Sequence, residues 1–340
     1  METAGKRRRL AAYLLLSAAF LLFLGLSLLC GSMALKPGEI LSALLGEDEG
    51  AAGQVILRLR LPRALAAALL GGALSVSGYL LQTFFGNPVA GPYVLGISSG
   101  AKLSVSIVMV FALQRLGSLS FPLMMTAAFA GSMAVTLLIL LFSGRSRSMA
   151  TLLVVGLMVG NICSAVTDFF VTFADEAGVA NLHAWSQGSF SGVSRESLLR
   201  IAPVILAALI AVRLLAKPIS AYRLGETYAA SMGVNVRVFR SVLIALSSLL
   251  SACVTALTGP ISFVGVAVPQ LSRMLLGSSA PEAMIPGTFL LGAVFCMGCD
   301  LIARTAFAPT ELAVSTVTAF FGAPVVIALM LHRGARREEA

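Results

Sequence analysis

Charge is the scarcest property of this sequence. Of 340 residues, 11% are Asp, Glu, Lys or Arg, where a soluble domain carries about 25%. Hydrophobic residues make up 58%, and the mean hydropathy is +0.95. Water-soluble folds are excluded, and the chain reads as an all-α integral membrane protein. The phosphate-cradling pattern Gly-x-x-x-x-Gly-Lys-Ser/Thr is absent. If ATP energises this protein, another chain must supply the ATPase. Paired carboxylates, a nucleophile with its base, and a cluster of metal ligands are also missing, so no catalytic site is expected. The two histidines cannot make a metal site by themselves. The net charge of +9 does not signal nucleic acid, because excess Lys and Arg in a membrane protein mostly set orientation.

Cysteine is sparse as well. Cys30, Cys163, Cys253, Cys296 and Cys299 all lie in or beside apolar runs, so no disulfide framework is implied. Cys296 and Cys299 form a CxxC inside LLGAVFCMGCDLIA. A redox or zinc pair needs polar, accessible surroundings and usually more ligands.

What the chain does have is long apolar runs. A bilayer crossing needs about 20 residues. Candidates lie at 10–30, 64–85, 93–113, 121–142, 149–173, 198–215, 238–257, 261–276, 283–302 and 312–331. About ten transmembrane helices are therefore expected, with both termini on one side. The run at 261–276 is short and carries Pro269 and Arg273, so it is the weakest of the ten. The N-terminal run follows Lys6, Arg7, Arg8 and Arg9 and exceeds the roughly 7–15 apolar residues of a signal peptide. It reads as a retained first span.

Orientation follows from the cations. With the N-terminus inside, the inner segments hold Lys6, Arg7, Arg8, Arg9, Arg145, Arg147, Arg213, Lys217, Arg223, Arg237, Arg240, Arg273, Arg333, Arg336 and Arg337. The outer segments hold fewer: Lys36, Arg58, Arg60, Arg63, Arg115, Arg195, Arg200 and Arg304. The bias puts both termini in the cytoplasm. Small residues recur at helical spacing, with Gly71, Ser75 and Gly78 on one face and Gly156 with Gly160 as GxxxG. Such faces let helices approach closely inside one bundle.

Residues 217–240, KPISAYRLGETYAASMGVNVRVFR, form a basic island between two apolar runs. Residues 225–232 read as a short helix, and Gly233 sits where a left-handed C-terminal cap is needed. On the cytoplasmic side this is either a connecting loop or a docking helix for a soluble partner. Residues 82–93 read as a tight turn, with Asn87-Pro88 and Gly91-Pro92 stopping one helix and starting the next.

The longer string at 71–101, GGALSVSGYLLQTFFGNPVAGPYVLGISSGA, strongly resembles the permease subunit of type II ABC importers. These importers take up iron–siderophores, haem and vitamin B12. Four further stretches match in order. They are Arg58-Leu59-Arg60-Leu61-Pro62-Arg63; Leu224-Gly225-Glu226 with Gly233-Val234; residues 259–265 with 268–273; and Asp300-Leu301-Ile302-Ala303-Arg304 with Pro309, Glu311-Leu312 and Gly322-Ala323-Pro324. Two positions depart from the family pattern. Gln270 stands where a histidine is usual, and Gly86 where Arg or another polar residue commonly precedes Asn-Pro.

The resemblance implies one transmembrane permease domain over residues 1–340 and a homodimer in a bacterial cytoplasmic membrane, with the pathway along the dimer axis. Two copies of a separate ABC ATPase, carrying ATP and Mg, would dock on the coupling segment at about 217–240. The residues carried over are Leu224, Gly225, Glu226, Ala229, Ala230 and Gly233. This chain itself would bind no cofactor. An extracytoplasmic substrate-binding protein would meet Arg60, Arg63 and Arg304 with acidic residues. Arg58 alternates with Arg60 and is left out of that set. The plainer reading of the three arginines is headgroup contact at helix ends. Substrate stays open among siderophore chelate, haem and cobalamin, with an iron chelate favoured on family frequency.

Asp168 and Lys102 are ionisable groups inside apolar runs, which makes each a pathway candidate by default or a structural charge. Asp300 stands four residues before Arg304, the spacing of an intrahelical pair. His183 and Trp185 read as interfacial. The competing class is an ion-gradient-driven secondary transporter, with Lys102, Asp168 or Asp300 as coupling charges.

Overall fold

The computed structural model describes residues 2–31, 33, 35–46, 50–116, 120–143 and 148–338. Arg145 and Arg147, counted above for orientation, lie outside the described residues. Every regular element among the described residues is helical. The order is α1 (Glu2–Leu29), α2 (Pro37–Leu45), α3 (Ala51–Val55), a π turn (Ile56–Arg60), α4 (Leu61–Phe85), α5 (Ile97–Leu116), α6 (Phe121–Ser143) and α7 (Met149–Thr172). Then follow α8 (Glu176–Ser186), α9 (Arg195–Leu214), α10 (Ala216–Arg223), α11 (Glu226–Ser231), α12 (Val236–Thr258), α13 (Val264–Leu276), α14 (Pro281–Thr305) and α15 (Val314–Glu338).

Seven helices are long and apolar enough to cross a membrane, with Ala51–Phe85 running as one of them. Three shorter apolar helices, Ile97–Val110, Val264–Leu276 and Val314–Ala328, fall below that length. The expectation of ten similar spans is thus met in full by seven. α13 has 13 residues, about 20 Å at 1.5 Å per residue, against a hydrocarbon core of about 30 Å. Its start explains the shortness. Gly259, at φ 72°, ends α12, and Phe263 enters α13 with φ 63°. Pro260 supplies no N–H between them, so no helix can run through this stretch.

α4 is the central element. Of its apolar window 89% is buried, against 22% for α1 and for α7. It packs on α14, α12 and α13. Small residues permit this. A Cβ on Gly78 would sit 1.8 Å from the Gly265 carbonyl oxygen, and one on Gly71 would sit 2.5 Å from Cys296 Cβ. Across from them, a Cβ on Gly292 would meet Ser75 Oγ at 2.1 Å. Backbone therefore lies on backbone, and dispersion replaces the hydrophobic drive that lipid cannot supply. Ser77 and Ser247 fasten α4 to α12, each hydroxyl donating to the other's carbonyl at 2.7 and 2.9 Å. The GxxxG of α7 serves the same end, with Gly156 and Gly160 receiving Leu95 and Gly96 just before α5. Cys296 and Cys299 are buried and free, and Cys296 fills the space left by Gly71.

Gly78→Ala should cost about 1–3 kcal/mol through overpacking. Gly25→Ala on α1, where a Cβ meets nothing within 4 Å, should be neutral or slightly stabilising. Thermal unfolding of the two variants in one detergent compares them, and equal melting temperatures would contradict the backbone contact.

Candidate functional site

Two polar assemblies stand out, at opposite ends of the bundle. The first gathers α10, α11, the end of α4 and the start of α12. α11 is fixed at both ends by glycine. Gly225 precedes it at φ 127° and Gly233 follows at φ 83°. Gly233 N–H donates to Ala230 O and Val234 N–H to Ala229 O, each at 3.0 Å, a Schellman closure that satisfies the helix-end carbonyls. The capped helix expected from sequence is present.

Its faces differ in character. Ala229 is fully buried, so its part is packing rather than contact with another chain. Glu226 is half-exposed but engaged. It pairs with Arg240 and accepts from the Tyr222 hydroxyl at 3.0 Å. Burial pushes the Tyr222 phenol above its ordinary value, partly offset by Arg240, so it stays a neutral donor. Leu224 (70%), Tyr228 (47%) and Met232 (63%) are exposed. Tyr228 and Met232, four apart, share one face of α11 and its cap, while Leu224 precedes it across the non-helical Gly225. Ala230 is exposed beside them. Tyr228 and Met232 were missed by the sequence reading, which carried no signal for the face they occupy. A cavity of about 390 Å³ lies behind α11, lined by Gln82, Phe85, Gly86, Tyr222, Glu226 and Arg273 among others.

The two departures from the family pattern lie at this end. Gly86 caps α4 at φ 59°, a conformation a side chain resists. Gln270 donates to Gln82 Oε1 at 2.5 Å and to Pro88 O at 3.4 Å. Gln82 donates in turn to Val266 O at 3.0 Å. The amide pair thus ties the 86–92 turn to α13.

The second assembly holds the outer arginines. The π turn closes with Leu61 N–H on Ile56 O and widens the backbone ahead of α4. Arg60 is 6% exposed. It donates to Leu28 O at 2.7 Å, Leu29 O at 2.9 Å and Met33 O, capping the end of α1. Arg63 grips Asp300 from Nε at 3.0 and 3.1 Å and reaches Glu311 Oε1 at 3.0 Å. Arg304 lies 3.8 Å from Asp300 and donates to Ser27 O at 2.8 Å. The intrahelical pair read from the sequence is present, and Arg63 is its larger partner. Asp300 is buried and Glu311 half-exposed.

The structure therefore brings Arg63 and Arg304 together on Asp300, while Arg60 is committed to carbonyls. Arg58, set aside from sequence, is the exposed one. All four line a cavity of about 440 Å³ bounded also by Glu311 and Pro309. Four guanidinium groups face two carboxylates, so the mouth is net positive. Asp168 is exposed on α7, and Lys102 is half-buried on α5. Neither enters an ion pair with a described residue, and the structure does not join them to either assembly. His183 is exposed at Gln187, and Trp185 packs under α6.

An all-helical bundle with a capped, solvent-facing helix at one end and a cationic mouth at the other is the architecture of a transport permease. Residues 19–332 match the FecCD transport family, and the chain belongs to that family, the permeases of type II ABC importers. It is 34% identical over 331 residues to the vitamin B12 import system permease protein BtuC of Escherichia coli O157:H7, covering 97% of both chains. The same identity and coverage hold for BtuC of Escherichia coli O127:H6. A solved chain described as a metal-chelate type ABC transporter, in an inward-facing conformation, superposes with TM-score 0.82 at 28% identity over 93% of this chain and 97% of that one. PsaBC from Streptococcus pneumoniae shares the fold at TM-score 0.53 and 14% identity, over 85% of this chain and 94% of that one.

Removing Asp300 strands two buried cations. Asp300→Ala should cost about 3–5 kcal/mol, whereas Glu311→Ala, at a half-exposed pair, should cost under about 1 kcal/mol. Detergent melting curves compare them, and an equal loss would contradict the burial difference.

Proposed function

We propose that this chain is the membrane subunit of an ATP-driven importer for cobalamin or an iron chelate. Two copies form the permease, each crossing the bacterial cytoplasmic membrane ten times through the seven long and three shorter helices. A separate ATPase, two copies per dimer, binds ATP and Mg and docks on α11. The observation that carries this reading is the exposed set Leu224, Tyr228 and Met232 in and beside α11. Apolar side chains held in water by a capped helix, with no described neighbour covering them, fit a protein partner. Gly225 and Gly233 set the angle of this patch, and Ala230 leaves room beside it.

At the other end, a net-positive mouth suits a soluble binding protein with acidic lobes. Arg58 and Arg63 stand at its rim, and Arg60 and Arg304 shape it from behind. The 34% identity to a vitamin B12 permease favours cobalamin as cargo, ahead of the iron chelate that family frequency alone suggested. Siderophore and haem are the other outcomes of an uptake assay. An ion-gradient mechanism has less support, because the Asp300 carboxylate is already neutralised by Arg63 and Arg304.

Burying one such apolar side chain is worth about 1.5–3 kcal/mol, so Leu224→Asp or Met232→Asp should reduce ATPase capture about ten-fold or more. Undiminished co-purification would sink the docking assignment. In liposomes the wild type should import labelled cobalamin only with its ATPase and ATP; import on an ion gradient alone would favour the other class.

On the outer face, Arg58→Glu, which leaves the Arg63–Asp300 pair intact, should weaken docking of the binding protein most at low salt, since rim pairs are screened. Wild-type affinity across a salt series would overturn the docking role of Arg58.

A further inference from the structure

α11 hangs between two open glycines. Gly225 and Gly233 both hold positive φ, and a Cβ on either would meet nothing within 4 Å. These two glycines leave the ends of a six-residue helix without side-chain restraint. A pull on it would be absorbed by the loop unless something fixes it to the bundle.

Ala229 seats α11 on the core, the Glu226–Arg240 pair ties it to α12, and one phenol oxygen extends the attachment to α4. Tyr222, on α10, is 7% exposed. Its hydroxyl lies 3.0 Å from Glu226 Oε1 on α11 and 3.4 Å from Phe84 O at the end of α4. Arg240 of α12 donates to the same oxygen from Nε at 3.4 Å and pairs with Glu226. Phe84 O is among the last carbonyls of α4, which have no helical partner of their own. Four helices thus converge on one side-chain atom. The ring is held by Phe239, with centroids 5.2 Å apart. The next residue, Arg223, donates to Ser279 O in the turn before α14, so the elbow is fastened on two sides.

We propose that Tyr222 is the positioning residue that locks α11 to the end of α4. Displacement of α11 then moves the most buried helix of the subunit instead of bending at Gly225 and Gly233. The identity of what displaces α11 rests on the docking reading above; the lock does not.

Tyr222→Phe tests this, because it keeps the ring against Phe239 and removes only the hydroxyl. A nitroxide on Ala230→Cys, in a Cys30→Ser background of the full chain in nanodiscs, reports α11 mobility. Tyr222→Phe should raise the mobile population about 10- to 150-fold, the factor for losing a hydrogen bond to a charged group. An unchanged line shape overturns the proposal. In the complex with the ATPase, the variant should capture ATPase at the wild-type level but lose most of the stimulation of ATP hydrolysis by the binding protein. Full stimulation also overturns it. If Tyr222→Phe melts early, line shapes are compared below its melting temperature, and an unchanged line shape is again decisive. Failure of the docking reading appears separately, as ATPase capture that ignores Met232→Asp, and it leaves the mobility result standing.

Discussion

The close approach of α4 to α13 and α14 is the constraint on which the rest depends. In lipid, apolar side chains gain nothing by leaving a solvent as apolar as themselves, so helices adhere through contact and hydrogen bonds. Gly71, Gly78, Gly265 and Gly292 remove the side chains that would hold the backbones apart. The seam they form sets where both ends of α4 emerge. One end presents Arg63 to Asp300, and the other presents Phe84 O to Tyr222. Both polar assemblies are therefore positioned by the same apolar packing.

The arginines follow a common logic. Arg60 donates to carbonyls at the end of α1, and Arg304 reaches Ser27 O in the same turn. Arg8 donates to Met274 O at 2.5 Å and Leu275 O at 3.3 Å, closing the end of α13. Arg223 reaches Ser279 O just beyond. Helix C-termini carry unpaired carbonyls and partial negative charge, which cations complement. Much of the cationic surplus is thus spoken for by helix ends, on both sides of the bundle. Arg58 caps nothing and remains at the surface, as do Arg195 and Arg237.

The two ends also differ in stiffness. The outer cluster is bound into the body by the buried carboxylate of Asp300. At the α11 end, positive-φ glycines flank a short helix held by Ala229, the Glu226–Arg240 pair and the Tyr222 phenol. On the docking reading proposed above, such a distinction would let a soluble partner act on the bundle through α11. Compliance in the docking element is useful only where an anchor directs it.

The sequence by itself determined the membrane class, the family and the capped helix at 226–231. These follow from composition, from apolar run length and from local backbone chemistry such as Gly233 at a helix end. It also exposed the small-residue face of α4 and the Asp300–Arg304 pair, because both are set by helical periodicity. Tertiary structure alone decided which arginine is buried. Arg58 and Arg60 are alike in sequence, and only the π turn and the nearby end of α1 separate them. It decided that Ala229 turns inward while Tyr228 and Met232 turn outward, and that Tyr222 joins α10 to α4. Those contacts link residues as far apart as 84 and 222, or 63 and 300. No local pattern encodes them, because they arise only when the packing of α4 brings distant helix ends together.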